Sequence, residues 1–388
     1  MFYIILTYLL SPLIYALIYF RRVNIRRILV IQTAKIGDII SSTHIFREIK
    51  KGLGDVHLSV MVSPVSREVL EYNPYINELI SLNRDSYKGL SGKINLAVML
   101  YKGKYDAVIS LNPSLPFLLS AFWGLVSRRI FIMPDPRLKP RIKYGAGSAG
   151  TSFVGITYKM ASRFCTYLER HIRGRLVAET NLKMLEAIGI KSNNLSKEVY
   201  KSPIADVKVK NLLSGRDGNL IGIAVSSGNK MKELGAEKIV ALAEKLITEF
   251  NAHVVLIGSS SDSETAGKII TMATQKEKII DSVGCFRLSE LPALLEKLSL
   301  FIGVDTGVTY IADALGVPLI DIAGPSDMED QRPTGKNSYI LQKKELGCVP
   351  CSHAFDAPYE CRYGHRECIT RISVKEVFGL ASQIMVKV

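Results

Sequence analysis

Arg27-Ile28-Leu29-Val30-Ile31-Gln32 leads into Thr33-Ala34-Lys35-Ile36-Gly37-Asp38 and then into a helical pattern that runs to Lys51. The first six residues are a short β-branched apolar run. The next six form a turn with a single glycine, so the whole reads as strand, turn, helix. Working outward, His57–Val62, Glu78–Leu82 and Ala107–Leu111 are further short apolar runs separated by helical stretches. Runs apolar on both faces belong to buried strands, and their alternation with helices predicts a parallel sheet covered on both sides. The pattern restarts after a polar stretch near 191–209. Asn219–Val225 reads as a strand, Ala236–Phe250 as a helix and His253–Gly258 as a strand. Helix 262–275, strand Ile279–Asp281, helix Ser289–Leu298 and strand Leu300–Val304 come next. The turn Asp305-Thr306-Gly307 opens another helix, and Pro318–Ala323 is a further strand. Two similar α/β halves predict two Rossmann-like domains facing across a cleft, with ligands at the carboxyl ends of the strands.

The composition agrees with this outline. The chain has 388 residues, 47% hydrophobic and 22% charged, with a net charge of +14. That length points to two domains. The apolar content excludes a disordered chain, there is no Gly-X-Y period, and six cysteines are too few for a disulfide scaffold. The charge is uneven. Residues 1–205 carry 29 Lys and Arg against 13 Asp and Glu, whereas residues 206–388 carry 21 against 23. The excess predicts an anionic partner for the N-terminal half: a membrane surface, nucleic acid or a phosphorylated substrate.

Met1 to Phe20 contains no charged residue, and Arg21, Arg22, Arg26 and Arg27 come immediately after it. As a helix this run would be about 30 Å long, roughly one hydrocarbon thickness. A cleaved signal peptide would place its charge before the apolar stretch and a small-residue site after it, and neither is present. On a helical projection Thr7, Tyr8, Ser11, Tyr15 and Tyr19 fall on one side, and Leu6, Leu9, Leu13, Leu17 and Phe20 on the other. The segment is expected to attach the chain to a membrane, by spanning it or by lying in its interface, with a kink at Pro12. Burial against the protein is the alternative. The arginines are expected to keep the remainder of the chain on the cytoplasmic side of that membrane.

Five segments, in order, resemble the ADP-heptose:lipopolysaccharide heptosyltransferase family, glycosyltransferase family 9. They are Ile28–Ile31 leading to Ile36-Gly37-Asp38; Tyr105–Ile109; Gly222–Glu233 with the helix after it; Gly303–Gly307 with Ala312–Pro318 and Gly324-Pro325-Ser326-Asp327; and the cysteine-rich tail. The resemblance implies a GT-B fold, an inverting mechanism, a nucleotide-sugar donor such as ADP-heptose, a lipid-linked glycan acceptor such as lipopolysaccharide core, and no catalytic metal. Residues 1–24 would then be the membrane-attachment segment, 25–205 the acceptor domain and 206–388 the donor domain.

By position alone, Asp38 is either a helix-start carboxylate or a group facing the cleft. The resemblance makes it the general base that takes the acceptor proton. Lys232 matches the family lysine that contacts donor phosphate, and Lys230 is an alternate cation nearby; both are otherwise ordinary loop lysines. Asp305, Thr306 and Gly307 form a strand-to-helix turn whose N–H groups suit an anion. Gly324, Pro325 and Ser326 are the next loop of the same pocket, or an ordinary turn. Where the family continues with histidine, this chain has Tyr310. Where the family has an aromatic residue and a proline soon after the lysine, this chain has Leu234 and Gly235.

Cys348, Cys351, Cys361 and Cys368 crowd into the tail, with His353 and His365 nearby. Four thiols that include a Cys-x2-Cys pair match a structural zinc site, with disulfides or free thiols as the alternatives. Between 128 and 143, Arg128, Arg129, Arg137, Lys139, Arg141 and Lys143 stand against one acid. They are expected to meet the acceptor or the membrane, or to be a solvated charge run. No nucleic-acid-binding motif accompanies them. A dinucleotide-dependent oxidoreductase would need Gly-x-Gly-x-x-Gly in the first turn, and Thr33–Asp38 has one glycine. The remaining alternative is a non-catalytic member that binds nucleotide sugar or glycolipid in envelope assembly.

Overall fold

The computed structural model describes residues 2–20, 24–134 and 156–386. They divide into two compact units: the first runs to Leu195 except for Glu68–Tyr72, which groups with the second, and the second continues from Ser196. Each unit carries one all-parallel, six-stranded sheet. The first holds β1 (Arg27–Gln32), β2 (His57–Val62), β3 (Glu78–Ser81), β4 (Ala107–Ser110), β5 (Arg128–Met133) and β6 (Tyr167–Arg170), in the order β3-β2-β1-β4-β5-β6. The second holds β7 (Leu220–Ala224), β8 (His253–Ile257), β9 (Ile279–Asp281), β10 (Leu300–Val304), β11 (Leu319–Ile322) and β12 (Ser338–Leu341), in the order β12-β11-β10-β7-β8-β9. In both sheets the chain builds outward in one direction, then returns to the middle and builds the other way. The reversals fall between β1 and β4 and between β7 and β10, the places where doubly wound sheets bind ligands.

The apolar runs are buried because helices cover both faces. Ile28 to Ile31 are fully buried. On one face Leu29, Ile31, Val108 and Phe131 pack with Leu96 and Leu100 of helix Gly89–Gly103 and with Phe117 and Phe122 of helix Leu115–Trp123.

Three strands go beyond the sequence reading: β5, β6 and β12. The first begins inside the basic stretch, where adjacent arginines mask the apolar Ile130–Ile132. This corrects the role expected for Arg129. Its side chain is buried, with the guanidinium donating to the carbonyls of Phe164 (2.6 Å), Val126 and Ser127 (3.2 Å). It also lies 5.3 Å from the Phe122 ring centre, so it is a structural cation that meets no acceptor. Arg128 is exposed at the start of β5. Arg137, Lys139, Arg141 and Lys143 lie outside the described residues.

The N-terminal segment forms a helix, Phe2–Tyr19. It packs on the first unit through its tyrosine and threonine side. Tyr3 stacks on Trp123 at 5.9 Å, and Tyr8 and Tyr15 meet Phe164 and Phe122 edge-on at 5.0 Å. The Trp123 indole donates to Thr7 Oγ1 (2.9 Å), and Tyr8 donates to the Met160 carbonyl (2.7 Å). Among the described residues no helix is long and apolar enough to cross a membrane. The spanning form has no support among the described residues. Thr7, Ser11 and four tyrosines interrupt the apolar run, and several of them are engaged by the domain beneath.

The start of the second unit is pinned by a buried ion pair. Lys197 Nζ lies 2.7 Å from both Asp313 Oδ2 and Thr334 Oγ1. Asp313 also accepts from Ser338 Oγ (2.7 Å) and from the amides of Thr334 (3.0 Å) and Gly335 (2.8 Å). Burial raises the Asp313 carboxyl, but the Lys197 ammonium and these hydrogen bonds outweigh it and hold the group below the usual carboxylate range.

Candidate active site

In the second unit, the loops leaving β7 and β10, on either side of the reversal, converge on one cluster. After β7 a 3₁₀ turn, Lys230–Lys232, is fixed by Asn229, whose side chain accepts from the Met231 amide (3.2 Å) and donates to the Pro358 carbonyl (2.9 Å). Met231 is buried beneath the turn. Two residues apart on a 3₁₀ turn point in different directions. Lys230 therefore faces out, 73% exposed and 2.7 Å from Glu233 Oε1, and does not join the cluster. Lys232 faces in, with Nζ 2.5 Å from Asp305 Oδ2.

Asp305 ends β10 and precedes the helix Gly307–Ala314, which Thr306 caps by accepting from the Val308 amide (3.4 Å). Its carboxylate also accepts from Tyr310 Oη (2.9 Å) and Ser326 Oγ (2.5 Å). Burial pushes the Asp305 carboxyl up, but the Lys232 ammonium and these donors prevail and hold it low. Tyr310 is driven well above the ordinary phenol range by burial and the adjacent Asp305 charge, so it stays a neutral donor. Tyr310 adds no positive charge to the cluster, and it orients Asp305. Behind the cluster Asp321, on β11 opposite Gly303, is fully buried with no partner for either oxygen. Burial first, then the Asp305 charge, raises it well above its usual range.

The loop 324–327 completes the cluster by supplying Ser326. Gly324 has φ +54°, and a Cβ there would stand 2.6 Å from the Ile369 side chain, so only glycine fits. Gln342 donates to the carbonyls of Gly324 (3.0 Å) and Ser326 (2.7 Å). The Pro325 carbonyl accepts from the amides of Cys351 (3.0 Å) and Ser352 (2.9 Å), tying the loop to the cysteine tail. His353 adds an ionic clasp, with Nδ1 2.9 Å from Asp327 Oδ2 and 3.5 Å from Asp330 Oδ2. These two carboxylates hold the imidazole up to about 9, so it is protonated at neutral pH. With the ring protonated, the triad holds together as an ion pair.

This clasp makes stability depend on pH. The folded value lies above the ordinary 6.5, so the clasp stabilises fully below about 6.5 and is lost as pH rises through about 9. At ~1.4 kcal/mol per unit its contribution is roughly 3 kcal/mol at most. Denaturant unfolding of the wild type should weaken between pH 7 and 9.5 by more than that of His353→Gln. Parallel pH profiles would refute the clasp.

The six cysteines are free. Cys368 is pushed up to about 11 by burial and then by Cys351, Cys348 and Cys361, so the four tail sulfurs share one neighbourhood. Backbone N–H groups of Arg366, Tyr363, Gly364 and His365 bond Cys361, as they would a thiolate ligand. Among the described residues, the one group of three candidate ligand atoms within 4.8 Å of each other is Asp327, Asp330 and His353. The sulfurs are gathered but not drawn in to that spacing.

In the first unit Asp38 lies in the short helix Ile36–Ile40 just beyond β1. Its Oδ2 accepts from the Lys35 amide (3.1 Å), so the helix-start role is realised and the side chain stays half-exposed. The turn is held from neighbouring strands. Asn112, after β4, accepts from the Thr33 amide (2.5 Å), and Ser66, after β2, donates to the Ala34 carbonyl (3.3 Å). The sequence reading places Ser326 in the pocket loop but assigns no role to the side chains of Asn112 and Asp321. Only Asn112, in an Asn-Pro step after a strand, carries a local signal.

Two all-parallel sheets of this order are the two Rossmann-like halves of a GT-B fold. The model of glycosyltransferase family 9 (heptosyltransferase) matches residues 154–360. Lipopolysaccharide heptosyltransferase 1 of Campylobacter coli is 25% identical over 363 residues, covering 91% of this chain and 99% of the relative. The glycosyl transferase family 9 structure from Veillonella parvula DSM 2008 shares the fold at TM-score 0.74 and 21% identity, over 95% of this chain and 99% of that one. The structure of E. coli ADP-heptose lps heptosyltransferase II does so at TM-score 0.69 and 18% identity, over 93% and 99%. The chain belongs to glycosyltransferase family 9, the heptosyltransferase family.

Proposed function

We propose that this enzyme transfers a heptose-like sugar from a nucleotide-diphosphate donor, such as ADP-heptose, to a lipid-linked glycan such as lipopolysaccharide core, with inversion and without a catalytic metal. The observation that carries the donor assignment is the convergence of Lys232, Asp305, Tyr310 and Ser326 at the reversal of the second sheet. The donor's diphosphate binds at the start of helix Gly307–Ala314, where free N–H groups and the helix dipole favour negative charge. Lys232 supplies the cation that stabilises the departing nucleoside diphosphate, and Asp305 aims it. Asp38 accepts the proton of the attacking hydroxyl. The acceptor O–C1 bond forms as the C1–O–phosphate bond breaks, the electron pair leaves with the diphosphate, and the anomeric configuration inverts. The names of the relatives support the donor and acceptor classes.

The four tail cysteines are proposed to hold a structural zinc that braces the Pro325–Ser326 loop through Cys351 and Ser352, with no part in the chemistry.

The test is a panel of ADP- and UDP-sugars with a truncated lipopolysaccharide core acceptor, run with and without chelator and read by anomeric NMR of the product. Turnover with ADP-heptose, inverted product and no dependence on added divalent ion are expected. A retained configuration, or a strict requirement for added metal, refutes the mechanism. Metal analysis of protein purified without chelator should give about one zinc per chain; less than about half counts against the brace.

A further inference from the structure

The N-terminal helix seats Ile4, Thr7 and Ile14 against the domain, together with Tyr8 and the hydrogen bonds already described. Its leucine side faces away, leaving Ile5, Leu9, Leu13 and Leu17 exposed by 49%, 72%, 62% and 47%. A leucine stripe left exposed along a whole helix is the reverse of what water selects. A second stripe lies nearby. On helix Gly89–Gly103, Leu90, Ile94, Val98 and Tyr101 are exposed by 47%, 50%, 42% and 55% at helical spacing. Both helices flank Leu115–Trp123 on one face of the first sheet. Ser120 donates to the Lys93 carbonyl (3.2 Å), and Lys93 Nζ lies 5.7 Å from the Tyr3 ring centre. More than half of the large exposed apolar side chains among the described residues lie on these two helices and the turn after the first. A concentration of this kind marks an interaction surface.

The charges identify the partner. Helices Phe2–Tyr19, Gly89–Gly103, Leu115–Trp123 and Ile156–Ala161 contain no Asp or Glu, and carry Lys93, Lys102 and Lys159. Two aromatic residues, Tyr19 and Phe20, end the first stripe, and in the sequence Arg21 and Arg22 come next. Apolar stripes framed by cations, with aromatic residues at their edge, match an anionic headgroup layer over acyl chains. A second copy of this chain would instead set the same lysines against one another.

We propose that this face of the first unit docks on the surface of an anionic bilayer, with the N-terminal helix lying in the interface and not crossing it. The inference rests on no catalytic residue and holds whichever sugar is transferred.

Flotation of the full chain with phosphatidylcholine vesicles, with and without about 30% phosphatidylglycerol, tests it. The wild type should float with the anionic vesicles and be partly released by 0.5 M salt. Leu9→Glu/Leu13→Glu and Ile94→Glu/Val98→Glu should each weaken partition at least about tenfold. Met272→Glu, at an exposed apolar site of the second unit, should not. The sole tryptophan, Trp123, touches Tyr3 and Thr7, so unchanged emission in each variant verifies that the helix keeps its seat. No flotation of the wild type, equal binding to neutral vesicles, or undiminished binding by both double variants overturns the proposal. So does a vesicle-free dimer that the same substitutions dissociate, which would make a second copy the occupant.

Discussion

Asp38→Asn is expected to lower sugar transfer by about 10²–10⁴-fold, the usual contribution of a positioned general base. The folded protein should be almost untouched, because an asparagine oxygen still accepts the Lys35 amide that Asp38 now holds. Nucleotide binding should also persist, since the proposed phosphate contacts belong to a different sheet, around Lys232 and the helix Gly307–Ala314. The diagnostic pattern is a collapse in kcat with unchanged thermal stabilisation by ADP. Wild-type turnover in the variant would reduce Asp38 to its helix-start role and leave the base unassigned.

Lys232→Met is expected to act on stability as well as on turnover. It strips the counter-ion from a buried carboxylate and leaves Asp305 with two hydroxyl donors and Asp321 behind it. Breaking such a pair from one side costs about 3–5 kcal/mol. The wild-type Asp305 is held low, so its pairing contributes stability above the ordinary carboxylate range and loses it as pH falls. In the variant the unpaired carboxyl shifts upward and takes a proton, which relieves the penalty in acid. The gap between wild type and variant should therefore be widest near neutral pH and shrink toward pH 4. Lys230→Met, which removes only the exposed pair with Glu233, should cost under about 1 kcal/mol. Equal unfolding midpoints for the two variants would contradict the cluster.

Much of the architecture is legible in the sequence because it depends on local pattern. Apolar runs such as Ile28–Ile31 and Leu300–Val304 can be strands only in a sheet covered on both faces, and they form close to where the pattern places them. The strand Arg128–Met133 escapes because charge is read as surface, whereas Arg129 is stabilised by carbonyls that only the folded chain gathers. The site is half legible for a related reason. Lys232 and Asp305 stand in recognisable turns, but their pairing spans 73 residues. Nothing local shows that Tyr310 turns its hydroxyl toward Asp305, or that the tail clamps the loop bearing Ser326. Likewise the tyrosine and leucine sides of the N-terminal helix are plain on projection, yet which side meets the domain is decided by Trp123 and Phe164.

The seat of that helix also has a history in time. Thr7 and its indole partner are 116 residues apart. At ~5–20 residues per second of synthesis, the helix leaves the ribosome roughly 6–20 seconds before Leu115–Trp123 exists to receive it. During that interval both of its sides are bare, and the growing chain presents a wholly uncharged segment to whatever surface or chaperone is nearest. Docking of the helix therefore waits until Trp123 has been made, and the length of that wait is set by the distance between two residues along the chain.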